Sequence, residues 1–333
     1  VIGLAQWLHV TQGLFMLDSP GRVYGNFAQP NHFATLLALG IGALIYLDTQ
    51  RPLSGVWAHM AALILVIGLV ASESRTGALS FTLMVASVAI IGRRKKTVIT
   101  LRWLIPALLA FWALYAAWDP LSAAMGTSAT RNGIGVGTST RLELWMQMLE
   151  AIRLQPWVGY GWLHLGAAQN TVAPYLGGTI NMDHAHNLFL DLLVWFGLPL
   201  GGMAVWGCMA WGIQMAQHAR RQESSSESFC FLLMILPIGI HSMLEYPLAY
   251  TYFLIVLAYF AGALEASAGY ARVWTRGGWI TARAAVLYAI VGSLLLARDY
   301  LQIEEDFRAL RLEQQFITKQ EHLHTFHPPA AWL

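Results

Sequence analysis

The feature that most constrains this chain is a series of long apolar segments separated by short polar ones. Eight segments are long and apolar enough to be interpreted as membrane-crossing helices of about 20 residues. They are residues 31–47, 55–71, 76–91, 100–118, 187–216, 229–246, 250–266 and 280–297. In lipid each backbone polar group needs a partner inside the protein, which favours helices over open sheets. The sequence therefore predicts an all-α fold, a polytopic transmembrane helical bundle.

The amino-acid composition also agrees with a membrane protein. Hydrophobic residues make up 56% of the chain and charged residues 11%, whereas soluble domains carry roughly 25% charged residues. The net charge of +2 excludes nucleic acid as an expected partner.

The first 17 residues are interpreted either as a ninth span or as an interfacial helix. Because the chain opens at Val1 without a basic leader, we interpret it as a piece of a longer protein. Cys208 and Cys230 lie in apolar stretches and are expected to be packing residues.

The positions of lysine and arginine predict the orientation of these spans. Basic residues collect in four loops, and an even number of predicted spans separates any two of them. The loops carry Arg51; Arg93, Arg94, Lys95 and Lys96; Arg220 and Arg221; and Arg272, Arg276 and Arg283. All four loops are therefore placed on one side, which is cytoplasmic by the positive-inside rule. The opposite, periplasmic side of a bacterial inner membrane would carry residues 18–30, 72–75, 119–186 and 245–249. We expect residues 1–297 to form the membrane domain and residues 298–333 a periplasmic amphipathic helical segment.

Three of the arginines on the predicted periplasmic side are candidate ligand-binding groups, since they lie there against the usual charge bias. They are Arg22, Arg75 and Arg141. Arginine near a membrane is expensive to place, so three on one side suggest an anionic ligand. The alternatives are that each arginine extends its side chain to the membrane interface or pairs with a carboxylate.

The long periplasmic segment contains a predicted amphipathic helix that begins near Arg141. Ser139 or Thr140 is expected to cap it, with Glu143 completing a capping box. Its apolar stripe is expected to lie along the membrane surface and comprises Leu142, Trp145, Met146, Leu149 and Ile152. The glycine-rich residues 133–137 just before it are interpreted as a loop of this segment, with a phosphate-binding loop as the alternative.

Histidines and a glutamate follow at two further membrane boundaries. His184 and His186 precede the fifth span, and three roles are open for this region. Asn187 or Asp183 caps the helix; the two histidines bind a metal together with His164 or His241; or His186 is a general base. At the end of the sixth span, Glu245 is expected to pair with one of the arginines, and Pro247 to end the helix.

Four sequence motifs, taken in order, resemble the O-antigen ligase and polymerase superfamily. They are GRVYGNFAQPNHFATLL (21–37), ESRTG (73–77), STRLELW with QPWVGYGW (139–145 and 155–162) and HNLFLDLLVWFGLPLG (186–201). The form QPNH and the segment HSMLEYPLAYTYFL (241–254) are most similar to the bacterial O-oligosaccharyltransferases that glycosylate pilins and other exported proteins. The resemblance extends over residues 4–266.

The resemblance implies which residues do the chemistry. In this family a glycan is moved from undecaprenyl-diphosphate to an acceptor, without metal or cofactor. Arg22 and Arg141 match arginines that bind the diphosphate, and His186 matches an essential histidine. The resemblance also implies substrate binding by a second group of residues, Arg75, Gln29, Asn31, Tyr246 and Glu245. Family members carry further N-terminal spans and often a longer C-terminal domain.

The predicted function is therefore an inverting oligosaccharyltransferase. Its donor would be a lipid-linked oligosaccharide, and its acceptor the Ser/Thr hydroxyls of a pilin-like periplasmic protein. The alternatives are a lipid A-core O-antigen ligase, a glycan polymerase and, in another class, a transporter or flippase. Transporters place charges near the middle of the bilayer and break their helices in paired halves. Here the charged groups collect at one predicted face, which favours an enzyme.

Overall fold

The computed structural model describes residues 2–8, 22–27, 29–50, 56–91, 101–125, 138–176, 182–221, 225–269 and 276–314. Within these ranges the regular structure is helical and contains no strand, which confirms the all-α prediction. The helices are α1 (Ile2–Trp7), α2 (Pro30–Gln50), α3 (Val56–Ala71), α4 (Arg75–Ile90), α5 (Leu101–Ala124), α6 (Thr138–Leu154), α7 (Leu165–Leu176), α8 (Leu188–Arg220), α9 (Ser226–Ser242), α10 (Thr251–Ser267) and α11 (Arg276–Gln314). A short 3-10 turn, Pro247–Ala249, joins α9 to α10.

Seven of the eight predicted spans correspond to one helix each, and the fifth corresponds to α8, which is bent. In the described part of the chain, four helical segments are both long and apolar enough to cross a bilayer, namely Pro30–Gln50, Pro106–Ala124, Leu188–Arg220 and Gly278–Ile303. Four shorter apolar helices accompany them, namely His59–Ala71, Arg75–Ile90, Ser226–Ser242 and Thr251–Ser267. The protein is a multi-pass membrane protein.

The chain divides into two compact units, Val1–Ala271 and Arg272–Leu333. The second unit contains α11, which runs without interruption through residue 297. The predicted division at residue 298 into a membrane domain and an outer segment stays a prediction. Several predicted features lie outside the described residues. These are most of the first 17 residues, Arg51, the basic loop 93–96, the glycine-rich loop 133–137 and Arg272.

The main core of the first unit lies between α2, α3, α4, α5 and α9. Phe81, Met84, Phe111, Phe229 and Leu233 are buried there. On the opposite faces of the helices large apolar side chains are exposed, among them Trp57, Trp206 and Ile255. Exposed apolar side chains on the outer faces suit helices that are surrounded by lipid. Cys230 is a free thiol buried in the core, whereas Cys208 is a free thiol exposed on α8, so only Cys230 is a core packing residue.

Helix α8 is bent sharply, and this corrects the predicted fifth span. Gly197 leaves helical geometry (φ 69°, ψ 178°) and divides α8 into residues 188–196 and 198–220. A Cβ at Gly197 would lie 2.6 Å from the carbonyl oxygen of Trp157, so glycine is required there for close approach as well as for its φ. The second part alone is about 34 Å long at 1.5 Å per residue, enough to cross a membrane. The predicted span 187–216 therefore joined two helical segments.

Helix α6 packs against the protein with one face and leaves most of its predicted apolar stripe exposed, and the position of that stripe on the membrane surface stays a prediction. Leu144, Met148, Ala151 and Ile152 are buried against α7 and the first part of α8. Of the predicted stripe, Leu142, Met146 and Leu149 are exposed, but Ile152 belongs to this second core. The helix also begins at Thr138, before the residues expected to cap it. Several apolar residues on more than one face of α6 made the sequence ambiguous about which face is buried.

Candidate active site

Four segments that were predicted to share one side of the membrane meet at one end of the first unit. Arg22 donates to the carbonyl oxygen of Ser72 through Nε (3.1 Å) and Nη2 (3.0 Å). Ser74 Oγ donates to Asn31 Oδ1 at 2.6 Å. Residues 186 and 141 reach this end from the third segment, and residue 245 from the fourth. The polar groups of the candidate site thus lie together at the ends of apolar helices.

Glu245 is the centre of this site. It lies three residues beyond the end of α9, and only 3% of its surface is exposed. One carboxylate oxygen, Oε2, lies 2.5 Å from His186 Nδ1. The other, Oε1, accepts from Asn31 Nδ2 at 3.2 Å and forms an ion pair with Arg141 Nη2. The carboxylate therefore joins a histidine, an amide and a guanidinium from three different parts of the chain.

The surroundings of Glu245 keep it ionised. Burial by itself raises the pKa of a carboxyl group, because it penalises the charged form. The hydrogen bond with His186 and the positive charge of Arg141 act in the opposite direction and outweigh burial, so the pKa of Glu245 lies below its usual value. An ionised carboxylate at this position both neutralises Arg141 and orients the imidazole of His186.

The turn before α8 positions His186. Asn187 caps α8, because its side chain accepts from the backbone N–H groups of Phe189 and Leu190, which confirms one predicted role. His186 has a positive φ of 55° and is 6% exposed. With Nδ1 donating to Glu245, the lone pair of the neutral ring is on Nε2, a tautomer that we assign from the hydrogen bond.

Asp191 and His184 hold the same turn from its other side. Asp191 is buried in the first turn of α8 and accepts from the backbone N–H of Ala185 at 2.7 Å. Its second oxygen lies 3.4 Å from His184 Nδ1. The ring of His184 stacks on Tyr246, with 4.6 Å between centroids and 12° between planes. His184 and His186 thus face different carboxylates.

The arrangement bears on the alternative in which these histidines bind a metal. His241, the other proposed ligand, is buried in α9 with Nδ1 2.8 Å from Thr35 Oγ1, and His164 is exposed. Across the residues that the structure describes, no group of three or more His, Cys, Asp or Glu side chains is arranged to hold a metal ion.

One nitrogen of the Arg141 guanidinium is paired with Glu245, whereas another has no hydrogen-bond partner among the described residues. Arg141 lies in the first turns of α6, and its Nη2 pairs with Glu245. Its Nε is buried and has no hydrogen-bond partner among the described residues. A buried donor without a partner is costly, so this nitrogen is suited to an anionic ligand that would complete its hydrogen bonding.

The other predicted site residues lie around this centre in different ways. Tyr246 is in contact with His186, with 5.1 Å between ring centroids. Arg22 is connected to the centre through Ser72, Ser74 and Asn31. Arg75 is exposed at the start of α4, and Gln29 lies just before α2, where its carbonyl oxygen accepts from His32 N and Phe33 N. The structure thus brings His186, Arg141, Glu245, Asn31 and Tyr246 into direct contact.

Three positioning residues were missed by the sequence interpretation. Ser74 caps α4 and accepts from Gly77 N at 3.0 Å while it holds Asn31. Asp191 braces the histidine turn, and Trp145 Nε1 donates to the carbonyl oxygen of Ala185 at 2.8 Å. Ser74 and Asp191 could have been noticed, since each is a small polar residue beside an apolar helix. Trp145 was read as part of an apolar stripe.

Three family models match successive parts of the chain. Residues 60–205 match a family described as O-antigen ligase, and residues 229–328 match the C-terminal part of a virulence factor membrane-bound polymerase. Residues 23–47 match a protein glycosylation ligase. The first match includes Arg141 and His186, the second Glu245 and Tyr246, and the third Gln29 and Asn31.

Two curated proteins of Acinetobacter baylyi are similar to this chain. One is a general O-oligosaccharyltransferase, 31% identical over 281 residues, and the other a ComP-specific O-oligosaccharyltransferase, 28% identical over 272 residues. Each alignment covers 80% of this chain and 48% of the relative, so the chain spans about half the length of the curated relatives it matches. These findings confirm the resemblance to O-oligosaccharyltransferases of the O-antigen ligase superfamily.

Proposed function

We propose that this chain carries the active site of a glycosyltransferase that moves a preassembled oligosaccharide from undecaprenyl-diphosphate to Ser/Thr hydroxyls of proteins such as pilin. The names of the similar proteins support transfer to protein. The observation that carries the proposal is the contact of Glu245 with both His186 and Arg141. This arrangement joins a candidate base to a candidate diphosphate-binding cation through one buried carboxylate.

His186 is the general base in this proposal. The acceptor hydroxyl attacks the anomeric carbon of the first sugar, and its proton passes to Nε2 of His186. The bond from that carbon to the phosphate oxygen breaks, and undecaprenyl-diphosphate leaves with the electron pair. The imidazolium formed is stabilised by the Glu245 carboxylate 2.5 Å from Nδ1. This single displacement inverts the configuration at the sugar carbon.

The arginines stabilise the leaving group. Negative charge grows on the diphosphate as the bond breaks, and preorganised donors in a partly dry site stabilise such charge more than they stabilise the ground state. Arg141 offers its buried Nε, and a guanidinium fits two phosphate oxygens at once. Arg22 donates to the carbonyl oxygen of Ser72, and we assign it to the same diphosphate. Arg75, Gln29, Asn31 and Tyr246 are assigned to substrate binding. Because the diphosphate is already a good leaving group, the proposed mechanism uses no metal.

The same chemistry serves two other acceptors. The O-antigen ligase match over residues 60–205 favours lipid A-core as an alternative, and the polymerase match over residues 229–328 favours a growing glycan. A decisive experiment supplies purified protein with a lipid-linked glycan and either pilin or lipid A-core. Glycan on pilin alone supports the proposal, and glycan on lipid A-core alone replaces it with the ligase function.

The proposal also places the site on the periplasmic side of the inner membrane. Single cysteines near Arg22, Arg141 and His186 are expected to react with a membrane-impermeant maleimide added to intact spheroplasts. Cysteines in the basic loop 93–96 are expected to react only after the membrane is opened. Labelling of that loop from outside would place the site in the cytoplasm, where a periplasmic acceptor has no access.

A further inference from the structure

Three tyrosines lie side by side next to the proposed base, His186. The proposed mechanism uses only the first of them, Tyr246. We call Tyr246, Tyr250 and Tyr252 the tyrosine ledge. The ring centroids of Tyr246 and Tyr250 are 6.2 Å apart, and those of Tyr250 and Tyr252 are 5.6 Å apart. Phe27 extends the row, with its centroid 5.8 Å from that of Tyr252. The rings of this row lie at increasing distance from His186, and the spacing of neighbouring rings is similar to the size of one sugar ring.

The rings of the ledge are held in place by neighbouring groups. His184 stacks on Tyr246, and the hydroxyl of Tyr252 lies 2.7 Å from His32 Nδ1. The edge of His32 also meets Tyr250, with 4.4 Å between centroids. Tyr250 follows the 3-10 turn and donates its backbone N–H to Pro247 O at 3.0 Å. A surface fixed before binding loses little conformational entropy when a ligand arrives.

The chemistry of the ledge suits a saccharide. The face of an aromatic ring is electron-rich and attracts the C–H groups on the apolar face of a sugar, while phenol hydroxyls donate to and accept from sugar hydroxyls. Tyr252 is 41% exposed, and Tyr246 and Tyr250 are partly exposed. A phenol is protonated and can donate at neutral pH, and burial together with the neighbouring Tyr250 raises the pKa of Tyr246 further.

The ledge differs from the tyrosines expected in a membrane-interface belt. Tyr259, on the same helix as Tyr252, is 69% exposed and contacts the apolar ring of Phe260. The ledge rings contact His184, His186 and His32 in addition to apolar rings, at the polar end of the unit. Their position beside the base, rather than along the apolar flank, indicates a ligand in the aqueous site.

We propose that the tyrosine ledge binds the oligosaccharide of the lipid-linked donor, beginning with the sugar that is bonded to the diphosphate. This inference rests on the proposed function and deepens it, because it assigns a binding surface to the oligosaccharide as distinct from the diphosphate. Tyr246 would contact the first sugar beside His186. Tyr250 and Tyr252 would contact the second and third. The ledge would then favour donors with several sugars over a donor with one.

The test compares two donors on an unglycosylated pilin-type acceptor, so that all sugar comes from the donor. One donor is polyprenyl-diphosphate with a single sugar, and the other has the same lipid and a tetrasaccharide. By analogy with contacts between aromatic rings, loss of one aromatic contact is expected to weaken binding by roughly 2- to 10-fold. We expect Tyr252→Leu to raise KM for the tetrasaccharide donor by this factor and to leave kcat and the single-sugar KM unchanged. Tyr252→Phe keeps the ring but loses the hydroxyl that lies 2.7 Å from His32 Nδ1, and is expected to fall between the wild type and Tyr252→Leu.

Tyr259→Leu is the matched control, with the same substitution on the same helix outside the ledge, and it is expected to change neither donor. The proposal is wrong if Tyr252→Leu alters both donors equally or neither, or if Tyr259→Leu has the same effect as Tyr252→Leu. Should Tyr252→Leu fail to fold, Tyr250→Leu and Tyr250→Phe provide the same comparison. A second readout needs no turnover: saturation-transfer NMR of the free tetrasaccharide should show contact with aromatic protons that Tyr252→Leu weakens. Inactivity of the wild type with both donors would refute the proposed function, whereas the NMR result would still test the ledge.

Discussion

The two ends of α9 carry one glutamate each, and the two are held in very different ways. Glu227, in the first turn of α9, accepts from Gln50 Nε2 at 2.8 Å in an exposed hydrogen bond. Glu245, beyond the last turn, is 3% exposed and meets His186, Asn31 and Arg141. An exposed polar pair contributes little to stability, whereas a buried charge must be fully partnered. The end where charges are buried despite this cost is the one that we assign to catalysis.

The neighbours of the two glutamates sharpen this contrast. Near Glu227 the ends of α9 and α10 are joined by neutral groups, with Ser228 Oγ donating to Ser267 Oγ at 2.9 Å. Near Glu245 the groups are ionisable or charged. A buried, ionised and partnered carboxylate beside a histidine is typical of a functional site. The comparison predicts that substitutions at the two ends differ in their effect on turnover by orders of magnitude.

The largest effect is expected from His186→Ala. General-base assistance is typically worth 10²–10⁴-fold, so we expect transfer to fall by about 10³-fold with a slow residual reaction supported by the arginines. The measurement is kcat for glycan transfer to pilin with purified protein. His184→Ala removes a histidine of the same turn that faces Asp191 instead, and is expected to be much milder.

Treatment with a chelator distinguishes the base role of His186 from the metal-binding alternative. Because the proposed mechanism uses no metal, prolonged treatment with EDTA is expected to leave the wild-type rate unchanged. Loss of activity in EDTA that zinc restores would assign both histidines to metal coordination and contradict the base role.

The next effect in size is expected from the arginines. Removing one donor to a developing negative charge costs about 10²–10³-fold in kcat. We expect Arg141→Ala and Arg22→Ala each to lower transfer by about 10²-fold without loss of folding, measured alongside the melting temperature. Lysine at either position should recover only part of the activity, since an ammonium does not reproduce the planar guanidinium. Near-normal turnover in both alanine variants would show that these two arginines do not bind the diphosphate.

A smaller effect, with a characteristic pH dependence, is expected from Glu245→Gln. Glutamine keeps the shape but loses the charge, and a hydrogen bond to a charged group is worth about 2 kcal/mol. The pKa of Glu245 is lowered in the folded protein from a usual value of 4.5. Its stabilising contribution is therefore complete above pH 4.5 and is lost as the pH falls through the folded value. Unfolding free energies of wild type and variant should differ by about 2 kcal/mol at pH 7 and converge at lower pH. A difference that grows on acidification would show that the carboxyl is neutral in the folded state.

The smallest effect is expected at the other end of α9. Glu227→Gln breaks only an exposed hydrogen bond, which is worth about 0–0.5 kcal/mol at the surface. Transfer rate and melting temperature are expected to match the wild type within error. A loss of turnover there comparable to that of Glu245→Gln would mean that the two ends are not functionally different.

Much of the fold could be predicted from the sequence, because lipid imposes one requirement on every span. Runs such as 31–47 and 250–266 must be helical when no water is available to the backbone, and the structure agrees. The fifth span was the exception. Gly197 and Pro199 were visible in the sequence, but single glycines and prolines are common in membrane helices. The sharp bend depends on the approach of residues 156–161 to α8, which no local pattern contains.

For the candidate site, the sequence by itself determined which polar groups stand at the same end of the spans. Residue types and span parity alone placed Arg22, Arg141, His186 and Glu245 on one side. The tertiary structure decided which of them touch. Glu245 was expected to pair with an arginine, but it also holds His186, which lies 59 residues away in the chain. Helix periodicity records which face of a segment is polar, whereas a contact between segments depends on how several helices pack together. The contacts of the tyrosine ledge with His184 and with His32 exist for the same reason, since they join residues that are far apart in the chain.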